Sequence, residues 1–132
     1  MESIILNMET CVVREPHMHD SILISIAVEP NSVHLRFGTL AGKIVRIVLD
    51  GVRGLSLEPM WEKNIVFEMR VVRATDAAPE DIRRVFHEPD DIDVGDIQLR
   101  KLKSDNFVIV QIVPTLGADI LALCRGVKWQ FD

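Results

Sequence analysis

Tyrosine is missing altogether, aromatic residues make up only 5% of the 132, and there are just two cysteines, Cys11 and Cys124, near opposite ends of the chain. So few cysteines, so far apart, exclude the dense cross-linked frameworks of small secreted domains. Neither lies in a Cys-x-x-Cys or Cys/His zinc pattern. Free buried thiols are the simple reading, with a single bridge between the terminal segments as the alternative. A basic excess is missing too: 15 Lys+Arg against 20 Asp+Glu leave a net charge of -5. That balance disfavours a general nucleic-acid binder, whose affinity comes from neutralising phosphates. No run is long and apolar enough to span a bilayer. The start, Met1-Glu2-Ser3-Ile4-Ile5-Leu6-Asn7, has no basic leader and only a short apolar run, unlike a secretory signal. A cytoplasmic protein that engages neither membrane nor nucleic acid is expected. Gly-x-Ser-x-Gly, a Walker loop and Gly-x-Gly-x-x-Gly are all absent.

What is present is apolar content of 48% in 14.9 kDa. A chain of that mass buries about two-thirds of its surface on folding, enough for one core and one domain. Its dominant pattern is period-two alternation, the signature of strands with two unlike faces. Ile22, Ile24, Ile26 and Val28 alternate with Ser21, Leu23, Ser25 and Ala27. Beyond the turn Pro30-Asn31-Ser32, Val33, Leu35 and Phe37 oppose His34 and Arg36, completing a hairpin. Ile44 to Asp50 is apolar on both faces apart from Arg46, as a central strand should be. The turn at Gly51 and Gly54 leads to Leu55 and Leu57. Asn64 to Arg73 alternates again, with Ile65, Phe67, Met69 and Val71 on one face.

One segment breaks the pattern. Ala77 to Phe86 sets Ile82, Val85 and Phe86 at helical spacing. Asp76 suits the N-cap, Glu80 and Asp81 the first turn, Arg83 and Arg84 the last, and Pro89 the stop. A short helix near residues 77–87 follows. Ile97 to Lys103 and Phe107 to Val113, either side of Ser104-Asp105-Asn106, read as a second hairpin, and Pro114 to Ala118 as a loop. Asp119 to Arg125 and Val127 to Phe131 close the chain, separated by Gly126 or joined through a bulge there. Strands at this spacing predict a mainly β, single domain of antiparallel, sandwich-like sheets with one helix.

Three segments carry candidate chemistry. His17, His19 and Asp20 make a local set that suits a zinc or iron ion with an open position, although catalytic zinc needs three protein ligands and no partner at a recognisable spacing accompanies them. The competing reading is a polar loop entering the first long strand. The acidic stretch Glu88-Pro89-Asp90-Asp91-Ile92-Asp93-Val94-Gly95-Asp96 fails the EF-hand spacing, with Gly95 one place early and Leu102 where the bidentate Glu belongs. Its charge is the stronger signal. Between Thr75 and Asp96 there are eight acids and two arginines, a net of -6, so the rest of the chain sums to +1. A solvated loop explains many such runs. The sharper reading is an acidic docking surface, formed chiefly by Glu88, Asp90, Asp91, Asp93 and Asp96, for a basic protein partner. Trp61, beside Pro59 and Met60, either anchors an interface or lies over the end of the core.

The run His19-Asp20-Ser21-Ile22 and the strand Val33-His34-Leu35-Arg36-Phe37 resemble the opening of a group of small bacterial polymorphic-toxin immunity proteins. Ile47-Val48-Leu49-Asp50-Gly51-Val52, Leu55-Ser56-Leu57, Asn64-Ile65-Val66-Phe67-Glu68 and the closing Ala122-Leu123-Cys124 with Val127 are similar too, so about half the chain is covered. The resemblance implies a β-rich cytoplasmic protein that binds and neutralises a cognate toxin without catalysis of its own; with the acidic surface, a basic toxin such as a nuclease is the expected partner, and no cofactor is expected. It transfers no site residues, and the acidic segment lies outside it. A metal-binding protein or metal-dependent enzyme built on His17, His19 and Asp20, and a self-associating β domain, are the rival readings. The oligomeric state is left open.

Overall fold

The computed structural model describes residues 1–87 and 106–132. In chain order its elements are β1 (Glu2–Ser3), β2 (Ile5–Leu6), β3 (Val13–Glu15), β4 (Ile22–Val28), β5 (Ser32–Gly38), β6 (Ile44–Asp50), β7 (Gly54–Glu58) and β8 (Ile65–Arg73). A 3-10 turn at Ala74–Asp76 and helix α1 (Pro79–Val85) follow, then β9 (Val108–Leu116), β10 (Asp119–Cys124) and β11 (Gly126–Phe131). The mainly β, antiparallel expectation holds.

Nine strands form one sheet in the order β1-β11-β6-β5-β4-β8-β9-β10-β7, and β2 and β3 form a small second one. The large sheet bends where β4 meets β8. There a single residue pair, Ile22 with Ile65, is flanked by bonds from Leu23 N to Asn64 O (2.9 Å) and from Val66 N to Ser21 O (2.8 Å). On the opposite side the chain itself turns the corner. β6 continues into β7 and β10 into β11, with Arg53 N on Leu123 O and Arg125 N on Asp50 O, both at 2.8 Å. Strands that switch halves at a corner are how a bent sheet closes over its own core.

The inward residues of both halves share that core. Val33, Leu35 and Phe37 of β5 and Val45, Ile47 and Leu49 of β6 join Met69 and Val71 of β8, Val110 and Ile112 of β9, and Ile120 and Ala122 of β10. The β8–β9–β10 half is covered on its outer face as well. Ile82 and Val85 of α1, with Ala74 and Phe107, bury Ile109, Leu121 and Leu123. Hence β10 is buried from Ile120 to Cys124, and its continuous apolar run reflects a strand dry on both faces.

Bulges account for the largest departures from the alternation pattern. A register shift between Leu23 and Ser25 turns Leu23 and Ile26 toward the core and leaves Ile22 and Ile24 exposed on the other side, so the four residues expected on one face are split. Val28, opposite Val33, shares the face of Ile26 but is exposed at the strand's end. An inserted residue inverts the side-chain order beyond it, which alternation alone cannot reveal. Two shifts in β8 likewise bury Val66 and turn Phe67 outward. α1 is capped by Ala78 rather than Asp76, which ends the preceding 3-10 turn, and it starts with Pro at N1. β9 runs through Pro114 to Leu116, so the turn shrinks to Gly117 and Ala118. Gly126 opens a separate strand, since β10 and β11 lie in opposite halves. β1, β2 and β3 have no counterpart in the sequence pattern because each is only two or three residues long. Both cysteines are free, Cys124 buried and Cys11 only half-buried. The expected strand Ile97 to Lys103, and Pro89, lie outside the described residues.

Candidate functional site

The described part of the acidic segment is α1 and its approach. Pro79 pre-sets the first turn, Glu80 and Asp81 complement the positive end of the helix, and Arg83 and Arg84 the negative end. Seven residues make a helix too short to hold itself together, so tertiary contacts must fix it. Ile82 and Val85 supply the apolar side. Arg84 supplies a polar clamp: its Nε donates to Ser56 Oγ at 3.2 Å, one terminal nitrogen to Asp119 Oδ2 at 3.2 Å, and the other to Asp119 O at 3.0 Å. Beyond the helix, His87 Nε2 lies 2.7 Å from Leu55 O. β7 comes close enough that a Cβ on Gly54 would sit 2.7 Å from Val85 O, so only glycine admits this approach.

The clamp leaves the acids outside. Asp76 and Glu80 are exposed and Asp81 is half-buried. Burial first, then the neighbouring charge of Glu80, pushes the Asp81 carboxyl above the usual range against the opposing pull of Arg84. Glu88, Asp90, Asp91, Asp93 and Asp96 lie outside the described residues.

Trp61 is 55% exposed and Met60 53%, so the indole does not lie over the end of the core. Their loop is held from below by Asn64, whose Oδ1 accepts from Trp61 N (3.1 Å) and Ala118 N (2.9 Å) while its Nδ2 donates to Trp61 O (2.9 Å). A tied loop with an exposed Trp and Met is a surface on which an interface anchor can sit.

His19 and Asp20 come together, Nε2 to Oδ2 at 3.4 Å, with His19 Nδ1 2.9 Å from Phe67 O. His17 is not bonded to this pair, although it lines one cleft together with His19. It lines two clefts, one beside Phe67 and Glu68 of β8 and one beside Lys43 and Phe131. Among the described residues no group of three or more His, Cys, Asp or Glu side chains is arranged to hold a metal ion.

One constellation escaped the sequence pattern because a turn creates it. Ser32 Oγ lies 3.1 Å from Glu29 Oε2 and 3.3 Å from His34 Nε2. The hydroxyl proton goes to Glu29, and that carboxylate faces the same ring nitrogen at 3.8 Å; among the described residues no acid orients the far side of the imidazole as a nucleophile–base–orienter set requires. On the outer face of the other half, Arg36 and Arg46 share Asp132 at 2.9 and 3.2 Å. Among the described residues no helix is long and apolar enough to cross a membrane. In comparisons with known protein families, curated proteins and solved structures, nothing matched this chain.

Proposed function

We propose that the protein is a non-catalytic binding module, an immunity-type inhibitor acting in the cytoplasm that covers a basic surface on a cognate toxin such as a nuclease. The observation that carries this reading is the net of -6 between Thr75 and Asp96 in a chain whose remainder is close to neutral. The Arg84 clamp supports it for Glu80 and Asp81, the two acids on α1, which lose little freedom on binding because the helix is fixed. The mechanism is competition. Glu88, Asp90, Asp91, Asp93 and Asp96, together with Glu80 and with Trp61 as a candidate apolar anchor, occupy the cationic groove that the toxin uses for its anionic substrate. The test has two stages: a toxin gene adjoining this one is the expected neighbour, and stopped-flow association with the toxin domain it encodes is measured for the parent and the Asp90→Asn, Asp91→Asn, Asp93→Asn triple variant. The on-rate drops about tenfold at low salt and its salt dependence flattens. An unchanged rate and slope removes the electrostatic mechanism.

A second reading, self-association, is favoured by β4. Beyond Ile22 its second edge pairs with no described strand, and Ile24 and Val28 are exposed along it. An open apolar edge is a template for pairing with another chain. Light scattering across a wide concentration range tests this: a concentration-dependent dimer that Ile24→Lys abolishes supports it, and a monomer throughout eliminates it.

A further inference from the structure

Between the β5–β6 turn and the end of β11 opens a cleft of about 420 Å³, within the usual range for small-molecule sites. Leu40, Ala41, Val45 and Phe131 form its apolar surface, and His17 and Lys43 are its cationic or hydrogen-bonding groups. Each wall is held. Thr39 and Lys43 exchange bonds across the turn, Thr39 N to Lys43 O at 2.8 Å and Lys43 N to Thr39 Oγ1 at 3.2 Å. Val45 is a core residue, and the Phe131 ring stands edge-on to Trp129 at 5.1 Å. His17 lies between buried Pro16 and buried Met18.

The charges point one way. Lys43 Nζ sits 4.8 Å from the centre of the Phe131 ring and forms no ion pair among the described residues. His17 forms neither a hydrogen bond nor an ion pair among them. Among the described residues no carboxylate lines the cleft. The acid next in sequence, Asp132, is already committed to Arg36 and Arg46. The cleft thus offers an apolar floor with an ammonium, an imidazole and, among the described residues, no competing anion. A single lysine with no cluster of backbone donors suits a monoanion, not a polyphosphate.

We propose that this cleft binds a small aryl carboxylate. The ring packs on Leu40, Val45 and Phe131, and the carboxylate accepts hydrogen bonds from Lys43 Nζ and the His17 ring N–H. The ammonium already held over Phe131 is positioned for this contact at little cost in side-chain freedom. None of the lining residues lies between Thr75 and Asp96, so this site and the inhibitor reading stand or fall separately.

The experiment is a ¹H–¹⁵N titration of the full chain with 2-naphthoate and, separately, with uncharged 2-naphthylmethanol. Saturable shifts confined to Thr39–Lys43, His17 and Phe131 are expected with the acid, at a Kd of about 1 mM or tighter. The alcohol binds the same amides about tenfold more weakly. Lys43→Met brings the acid down to the level of the alcohol and leaves the alcohol unchanged, while Leu40→Ser weakens both. Both side chains are exposed, so neither change disturbs the core. His17→Gln, which keeps a donor, retains part of the preference for the acid. Absence of saturable shifts with 2-naphthoate, equal affinity for acid and alcohol, or an unchanged preference in Lys43→Met overturns the proposal.

Discussion

Replacing Arg84 by methionine tests whether the helix that carries the acidic segment is truly fixed by its clamp. The substitution keeps an apolar stem and deletes the guanidinium, with its three bonds of 3.0–3.2 Å to Ser56 and Asp119. The two charged side chains are 32% and 29% exposed, so the pair falls between surface ion pairs, at about 0–1 kcal/mol, and buried ones, at about 3–5 kcal/mol to break. A charge-assisted bond contributes about 1.5 kcal/mol and each ordinary one about 0.5–1 kcal/mol. Partial rehydration of Asp119 offsets some of this, leaving a loss of about 2 kcal/mol. Asp119 Oδ1 is already buried without a partner, so the carboxylate has no second donor to turn to among the described residues. Urea unfolding with an unchanged m-value measures the loss. A double-mutant cycle with Asp119→Ala isolates the pair, and coupling of about 1–2 kcal/mol is expected. Native-state hydrogen exchange should place the loosening in α1 before the sheet. A loss below about 0.5 kcal/mol, or strict additivity with Asp119→Ala, refutes the clamp.

Three further outcomes follow from individual side chains. Because the fold raises the Asp81 carboxyl above its usual range, the stability linked to that site is full at pH below the unfolded value, about 3.9, and is lost as pH rises through the folded value. Asp81→Asn therefore melts higher than the parent at neutral pH, and the gap closes in acid; a gap independent of pH contradicts this. Burial pushes the Cys124 thiol up to about 12, so a thiol reagent titrates Cys11 alone in the native protein and Cys124 only after denaturation. Two fast thiols, or none, contradict that. Gly117 has φ +89, and a Cβ there would strike Asn64 Oδ1, the acceptor for Trp61 and Ala118. Left-handed strain of about 1–2 kcal/mol and a displaced buried acceptor at about 1–3 kcal/mol put the cost of Gly117→Ala near 3 kcal/mol. A loss under about 1 kcal/mol in urea unfolding shows that the loop relaxes around it.

The mainly β architecture was legible in the chain itself, because Val33, Leu35 and Phe37, or Val45, Ile47 and Leu49, can bury one face only on a strand. The short helix was equally legible, since Ile82, Val85 and Phe86 keep a spacing that a regular, unbulged strand does not put on one face, and so was the imbalance of charge, which depends on no geometry. Folding in three dimensions decided the rest. Whether Ile24 and Phe67 face the core depended on single bulged residues, which alternation does not record. The cap passed from Asp76 to Ala78 because the chain first completes a 3-10 turn. Arg84 became a clamp, and Lys43 and Phe131 walls of a cleft, only when strands distant in sequence met at one corner or one end of the bent sheet. Local spacing sets which face of a strand or helix is apolar; long-range register and closure set which side chains become neighbours.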